Sequence, residues 1–230
     1  MDFRFVKALR TFFDPKEYDE QAEYRRRILT EYKNKRPLYE DFCTTVFKLT
    51  EAFLKEGDYR YQLTHRTKSP ESLREKLIRK EDLGIVYEQL DDIEDLAGIR
   101  VIFYSERDKD RFIRGIQKEA SGMLRIEERN RENGYEATHI IMSFGPKRLR
   151  LSEYRHFKGL KCEIQVTTIL RHAWAEIQHD LVYKDIFGLK EKDPQQMDTV
   201  QKKLEDILHK HIKLAAEEFE EIIEHLNGKK

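Results

Sequence analysis

Apolar side chains at helical spacing dominate the first quarter of the chain. They recur every three or four positions over residues 16–34 and again over residues 38–56. Between the two stretches, Arg36 precedes Pro37, and the residue before a proline disfavours the helical backbone. The pattern therefore predicts a pair of N-terminal helices that is broken at Arg36-Pro37.

The period changes to two after Gly57. Side chains alternate over residues 61–68, which is typical of a strand. Ser69-Pro70 then ends the strand and opens a short helix to about residue 80, with Ser72 and Glu75 at capping-box spacing. The sequence thus predicts a strand that leads directly into a helix.

Further strands are indicated by alternation at five places: residues 98–104, 123–128, 136–144, 148–154 and 160–166. The charged amphipathic stretch 106–120 separates the first two, whereas some of the other gaps have the length of hairpin turns. This mixture of helical crossovers and hairpin-length gaps favours an α/β fold with a mixed sheet and flanking helices.

Two helices are predicted after the last strand. The first covers residues 167–187, and the second is a long, charged helix over 194–226 with a broad apolar stripe. That stripe must pack on its own domain, on a second copy or on a partner, and the pattern leaves these alternatives open. We expect one compact body with an N-terminal helical segment at 1–58, a core at 59–187 and a C-terminal helical extension at 188–230.

Composition excludes two broad classes of protein. The chain has 230 residues, 39% of them hydrophobic and 38% charged, and 44 basic residues balance 44 acidic ones. Disorder requires low hydrophobicity with a large net charge. No segment approaches the roughly 18 apolar residues of a membrane span, and residues 1–13 lack the apolar block of a signal peptide. Cys43 and Cys162 have no metal or redox spacing, which fits a cytoplasmic protein.

Charge is distributed in blocks of opposite sign. Residues 59–80 contain seven basic and two acidic residues, and residues 81–98 contain seven acidic residues without any Lys or Arg. A second basic block at 147–161 has six basic residues and one acidic residue. Such blocks suit a site that holds a polyanion beside a divalent cation, and they equally suit the solvated faces of a charged protein.

The first basic block predicts a phosphate-binding turn. On the strand, Arg66 and Lys68 share a face with Gln62 and Thr64, and on the following helix Ser72, Lys76 and Arg79 share a stripe. Together with the N–H donors of the helix N-terminus, these side chains would form a cradle for a triphosphate. The alternative is a surface ladder of solvated Lys and Arg side chains.

Two carboxylates at predicted strands are candidates for a metal and base site. Asp95 ends the acidic block where an apolar strand begins, and Glu163 lies between Lys161 and Gln165 on one strand face. If their strands are neighbours, the two would form one site, and otherwise each is a salt-bridged edge residue. His172, Glu176 and His179 share a helical stripe, for which a hydrogen-bonded structural face is favoured over metal binding.

Four motifs within residues 59–184 resemble the synthetase domain of the RelA/SpoT family. In order, they are Arg66-Thr67-Lys68-Ser69-Pro70-Glu71-Ser72-Leu73-Arg74-Glu75-Lys76-Leu77, Asp95-Leu96-Ala97-Gly98-Ile99-Arg100-Val101, Asn133-Gly134-Tyr135 with His139, and Glu163-Ile164-Gln165-Val166 with Ala173-Trp174-Ala175-Glu176-Ile177-Gln178-His179 and Tyr183-Lys184. Since no hydrolase or regulatory module accompanies them, the chain is similar to the small, single-domain alarmone synthetases.

The resemblance implies a nucleotidyltransferase-like mixed sheet and Mg²⁺-dependent transfer of pyrophosphate from ATP to the 3′-hydroxyl of GDP or GTP. It implies that Asp95 holds Mg²⁺ and that Glu163 assists the metal or removes the 3′-hydroxyl proton, supported by Gln165. Tyr135 would stack on guanine with His139 nearby, and Arg131 stands where relatives often have a phosphate-binding Lys. The implied ATP-binding residues are Arg66, Lys68, Ser72, Lys76, Arg79 and Arg100.

Departures from the family pattern leave other functions open. Thr167 stands where housekeeping members usually have Arg, and 136–138 also differ from the usual sequence. Residues 172–176 are similar to toxic small synthetases, some of which pyrophosphorylate the 3′ end of tRNA, and the 147–161 block would suit a tRNA backbone. A third reading is a catalytically weak, nucleotide-binding regulatory module. In any of these readings, the C-terminal helix is a candidate contact for a homo-oligomer, an antitoxin or another partner.

Overall fold

A five-stranded mixed sheet forms the centre of the protein. The computed structural model describes residues 15–120, 122–130 and 136–227. The strands are β1 (Tyr61–Thr67), β2 (Ala97–Phe103), β3 (Leu124–Asn130), β4 (Glu136–Met142) and β5 (Cys162–Thr168). Their order is β1-β2-β5-β4-β3, with β2 and β5 parallel and the other neighbours antiparallel. The predicted α/β class with a mixed sheet and flanking helices is confirmed.

Eight α-helices are found in the part of the chain that the structure describes. They are α1 (Pro15–Glu56), α2 (Pro70–Glu81), α3 (Glu106–Glu119), α4 (Pro146–Leu149), α5 (Ile169–Gln178), α6 (Leu189–Lys192), α7 (Pro194–Ile207) and α8 (Lys213–Asn227). Short 3₁₀ turns lie at Leu90–Asp92 and Arg155–Phe157, and π-helical turns lie at His179–Tyr183 and Leu208–Ile212. The two π-helical turns extend α5 and join α7 to α8.

Helix α1 runs through Pro37 without a break, so the predicted pair of N-terminal helices is wrong. Buried side chains continue on one stripe across the proline, with Ile28 and Tyr32 before it and Tyr39 and Phe42 after it. Because the two apolar stretches are in phase, a single continuous helix buries both against the sheet. Packing therefore outweighs the local preference of the residue before proline.

The two faces of the sheet have different chemistry. Along β2, Ile99 and Val101 point into a core that is covered by α1 and α3, while Arg100 points to the opposite face. On β5, Ile164 lies in the same core and Glu163 lies on the opposite face. One face thus holds the fold together, and the other carries the polar side chains.

The predicted strand at 148–154 is wrong. Residues Pro146–Leu149 form the short helix α4, and turns follow until the 3₁₀ turn at Arg155–Phe157. Proline at the first helical position favours this start, because its missing N–H would be unpaired there in any case. The apolar residue Leu151 in the alternating pattern is half exposed, so alternation here does not reflect a buried sheet face.

Helix α5 packs against the C-terminal helices through a second apolar cluster. Trp174 is buried with Leu204 and Leu208, and its indole N–H donates to the carbonyl of Leu204 at 2.8 Å. The predicted helix at 167–187 begins later than expected, because β5 includes Thr168. The predicted long C-terminal helix corresponds to α7 and α8, whose apolar residues Ile222 and Leu226 are exposed.

The length and apolar character of the described helices were compared with those of a membrane span. None of those in residues 15–120, 122–130 and 136–227 has the length and apolar character required to cross a bilayer. The domain limits and the partner of the C-terminal helix stay predictions.

Candidate active site

Strand pairing brings the separate motifs into one row. Arg66 on β1 lies opposite Gly98 on β2, and Gly98 lies opposite Glu163 on β5. Asp95 lies two residues before β2, so it is placed at the same edge of the sheet. The two carboxylates considered from sequence therefore come from neighbouring strands.

A cleft opens on the polar face of the sheet at this row. Its empty volume, including open solvent, is about 510 Å³. Six of the predicted site residues line it: Arg66, Lys68, Asp95, Arg100, Glu163 and Gln165. The structure thus unites the first, second and fourth motifs around one cavity.

Asp95 lies between two ammonium groups. Lys76 Nζ is 2.7 Å from Oδ1, and Lys68 Nζ is 3.1 Å from Oδ2. Burial on its own would raise the pKa of Asp95, but the positive charges of Lys76 and Lys68 outweigh it and lower that pKa below its usual value. Asp95 is therefore ionised at neutral pH and is paired with two of the predicted phosphate-binding lysines.

Helix α2 begins at the strand-to-helix turn and carries Lys76, which contacts Asp95. Ser69 is the N-cap, since its side chain accepts from the backbone N–H of Ser72, so the predicted capping box of Ser72 and Glu75 is wrong. The hydroxyl of Ser69 also donates to Ser72 Oγ at 3.0 Å. Further along the helix, the Arg79 guanidinium lies over the ring of Tyr183, 5.3 Å from its centroid. The Tyr183 side chain is half exposed.

Glu163 is buried in a hydrogen-bond network. His139 Nδ1 lies 2.7 Å from Oε1, and Gln165 Nε2 donates to Oε2 at 2.8 Å. Burial alone would raise the pKa of Glu163, but the hydrogen bonds and charge from His139, with help from Gln165, lower it. The other ring nitrogen of His139 is buried and has no hydrogen-bond partner among the described residues.

Arg100 joins the sheet to helix α5. Its Nη1 donates to Glu176 Oε1 at 2.9 Å, and its Nη2 lies 3.5 Å from Gln165 Oε1. His172 Nδ1 is 3.7 Å from the same Glu176 oxygen. Sequence reasoning noticed that His172 and Glu176 share a stripe but missed the ion pair, because nothing in the spacing shows that the stripe faces β2.

Two predicted acceptor residues, Arg131 and Tyr135, lie outside the described residues.

The basic block at 147–161 is partly structural. Arg148 lies over the rings of Phe144 and Tyr154 at 5.2 and 5.7 Å, and Lys161 donates to the carbonyl of Asp91 at 2.8 Å.

Comparison with known proteins agrees with this arrangement. Residues 65–186 match the family described as the region found in RelA / SpoT proteins. A curated relative, the GTP pyrophosphokinase YwaC of Bacillus subtilis (strain 168), is 29% identical over 148 residues, which cover 63% of this chain and 66% of the relative, just under two thirds of its length.

Solved structures of small alarmone synthetase 1 from Bacillus subtilis share the fold. One has a TM-score of 0.65 at 21% identity and covers 86% of this chain and 99% of the other. A second, bound to its product pppGpp, has a TM-score of 0.63 at 19% identity, with 87% and 98% covered. A third, bound to AMPCPP, has a TM-score of 0.61 at 18% identity, with 86% and 98% covered.

The family match spans more than half of the chain and includes the six predicted site residues that line the cleft. The resemblance seen in the sequence motifs is therefore confirmed, and the chain belongs to the RelA/SpoT family.

Proposed function

We propose that the chain is a pyrophosphokinase that transfers the β,γ-pyrophosphate of ATP to the 3′-hydroxyl of GDP or GTP, giving AMP and guanosine tetra- or pentaphosphate. The observation that carries the proposal is one cleft containing two ionised carboxylates, Asp95 beside two lysines and Glu163 beside a histidine. Family membership and a GTP pyrophosphokinase relative support it.

The cationic part of the cleft suits the triphosphate of ATP. Arg66 and Arg100 line the cleft, and Lys68 and Lys76 meet at Asp95. Their positive charges would neutralise the phosphate oxygens, where charge accumulates during transfer of a phosphoryl or pyrophosphoryl group. The incoming phosphates would also compete with Asp95 for the two ammonium groups, which frees the carboxylate.

The donor set fits Mg²⁺. This ion usually binds through one or two carboxylates, keeps several waters and takes further oxygens from substrate phosphates. Asp95 and Glu163 are two ionised carboxylates in one cleft and would hold the ion in this way. When bound, the metal would neutralise charge on the polyphosphate.

The buried part of the cleft suits the acceptor hydroxyl. The 3′-oxygen would attack the β-phosphorus of ATP, the bond from that phosphorus to the α,β-bridging oxygen would break, and AMP would leave. Glu163 is ionised and therefore able to take the hydroxyl proton, while His139 and Gln165 hold its two oxygens in place. By resemblance, Tyr135 would stack on the guanine base, and Arg131 would contact the acceptor phosphates.

Product analysis tests this proposal most directly. Purified protein is incubated with Mg²⁺, ATP labelled at the γ-phosphate and either GDP, GTP or deacylated tRNA, and products are separated by thin-layer chromatography. We expect labelled guanosine products with GDP or GTP. Asp206→Asn is a matched control, because Asp206 is an exposed carboxylate paired with Lys210 at 2.9 Å outside the cleft.

Other results of the same assay would contradict the proposal. If label appears only on tRNA, the acceptor is tRNA and not GDP or GTP, and the assignment of pyrophosphate transfer is retained. No labelled product with any acceptor, while calorimetry shows that the protein binds nucleotide, would favour the regulatory-module alternative. The tRNA acceptor, the antitoxin, the homo-oligomer and a cytoplasmic location stay predictions.

A further inference from the structure

Arg100 lines the cleft and is held from two sides. It lies on β2 directly opposite Gln165 in the parallel pairing with β5. Glu176 reaches down from α5 and accepts from Nη1 at 2.9 Å, while Gln165 contacts Nη2 at 3.5 Å. The guanidinium is thereby restrained, and its other N–H donors have no hydrogen-bond partner among the described residues, so they would be available to a substrate.

Helix α5, which carries Glu176, is itself firmly anchored. Trp174 is buried and donates to the Leu204 carbonyl. At the start of the helix, Arg171 Nε lies 2.8 Å from Glu106 Oε1, and Thr168 Oγ1 donates to the same oxygen at 3.0 Å. These contacts tie the start and the middle of α5 to neighbouring elements, so the Glu176 carboxylate is presented from a rigid support.

Arg100, the ion-pair partner of Glu176, belongs to a longer hydrogen-bond network. Gln165 contacts Arg100 through its amide oxygen and Glu163 through its amide nitrogen. One amide therefore joins a proposed ATP-binding residue to the residue proposed to act on the acceptor hydroxyl. A guanidinium released by Glu176 would be free to turn towards Glu163, which lies on the same face of β5 as Gln165. It would then pair with the carboxylate that is required to accept a proton.

We infer that Glu176 is a positioning residue that acts through Arg100: it fixes the guanidinium for ATP and keeps it away from Glu163. The inference rests on the proposed function. It predicts that Glu176→Gln weakens ATP binding and lowers turnover, whereas Glu176→Asp, which keeps the charge, restores part of both. The affinity of the guanosine acceptor should change little.

The test is a double-mutant cycle on binding of a non-hydrolysable ATP analogue, measured by calorimetry in the presence of Mg²⁺. The unaltered chain is compared with Glu176→Gln, Arg100→Gln and the double variant, and Asp206→Asn serves as the control. We expect Glu176→Gln to weaken binding roughly two- to fivefold, the scale of a partly exposed ion pair. In the Arg100→Gln background, the same substitution should have no further effect.

The outcomes separate this inference from the proposed function. Equal weakening by Glu176→Gln in both backgrounds, or none in the unaltered background, would overturn the positioning role alone. An analogue that does not bind the unaltered chain would overturn the proposed function and the inference with it. Circular dichroism of each variant shows whether a loss of binding comes from unfolding, and the charge-retaining Glu176→Asp variant gives a second measurement if Glu176→Gln does not fold.

Discussion

Asp95 and Glu163 lie at the same row of the sheet, yet their surroundings differ. The Asp95 side chain is 25% exposed and is balanced by two flexible lysines. The Glu163 side chain is 6% exposed and is held by an imidazole and an amide. Flexible cations can be taken over by an incoming polyphosphate, whereas a fixed network keeps its carboxylate in one orientation. Two carboxylates in one site can therefore have different roles: Asp95 suits a charged ligand, and Glu163 suits the transfer of a proton.

The largest expected effect comes from Asp95. Asp95→Asn keeps the shape of the side chain but removes the charge that would hold Mg²⁺. We expect transfer to fall at least roughly 1,000-fold, since a metal supplies several kcal/mol of charge stabilisation in the transition state. Binding of ATP without metal should persist, because Lys68 and Lys76 lose a competitor. The rate is measured with labelled ATP, and near-normal activity at saturating Mg²⁺ would contradict the assignment.

Glu163→Gln should have the next largest effect and should act on a different step. We expect turnover to fall about 100-fold or more, the scale of a lost general base, with nucleotide binding affected less. Steady-state rates and analogue binding are measured on the same preparation. If binding is lost while turnover per bound complex is unchanged, Glu163 has a structural role, and the contrast between the two carboxylates disappears.

The two regions also differ in how far the sequence alone revealed them. The Lys68 and Lys76 side chains are close along the chain and share the strand-to-helix turn that the pattern predicts. The proximity of Glu163 to Asp95 depends on the parallel pairing of β2 and β5, which are separated by two other strands in sequence. The spacing of residues along the chain carries no information about such a pairing. The sequence therefore leaves two alternatives open: one shared site on neighbouring strands, or two separate salt-bridged residues.

The two errors in the predicted fold have different causes: packing overrides the local effect of Pro37, whereas a short helix that begins at Pro146 replaces the strand predicted at 148–154. Arg36-Pro37 predicts a break, although the apolar stripe of α1 keeps its phase through the proline. At 148–154, alternation suggested a strand, but these residues form the end of α4 and turns, with Leu151 half exposed. Strands β1, β2 and β5 were predicted closely because a sheet with one polar and one apolar face gives a strong period of two.

A smaller effect should appear in the pH dependence of stability. Both carboxyl groups have pKa values lowered on folding, so each adds to the free energy of unfolding above its ordinary pKa, and the addition is lost as the pH falls through the folded pKa. We expect Asp95→Asn and Glu163→Gln to lose less stability than the unaltered chain below about pH 5. Salt should weaken the Asp95 contribution more, because its ion pairs are partly exposed.

Urea unfolding at several pH values and two salt concentrations provides the measurement. The Asp206→Asn variant controls for removal of an exposed carboxylate. An identical pH slope for all four proteins would show that neither carboxylate is stabilised by folding, and an equal salt effect at both positions would remove the distinction between exposed and buried surroundings.

The smallest effect on guanosine nucleotide synthesis should come from the second basic block. Arg148 packs on two rings, so a charge reversal that includes it would disturb the fold. Lys147, Arg150 and Lys158 are exposed and allow a cleaner test. Their reversal to Glu should leave turnover with GDP or GTP nearly unchanged, because the cleft is lined by residues of β1, β2 and β5 and by Lys68 and Asp95 beside them.

The same triple reversal separates the two acceptors. With tRNA, these cations would contact backbone phosphates, and each contact releases counterions, so the rate should fall steeply as salt increases. The reversal should then lower tRNA labelling and flatten that slope by about one unit per lost phosphate contact. Rates with both acceptors are compared over a range of salt concentrations. Strong tRNA labelling that is abolished by the reversal, with no guanosine product, would identify tRNA as the acceptor while leaving the roles of Asp95 and Glu163 in pyrophosphate transfer intact.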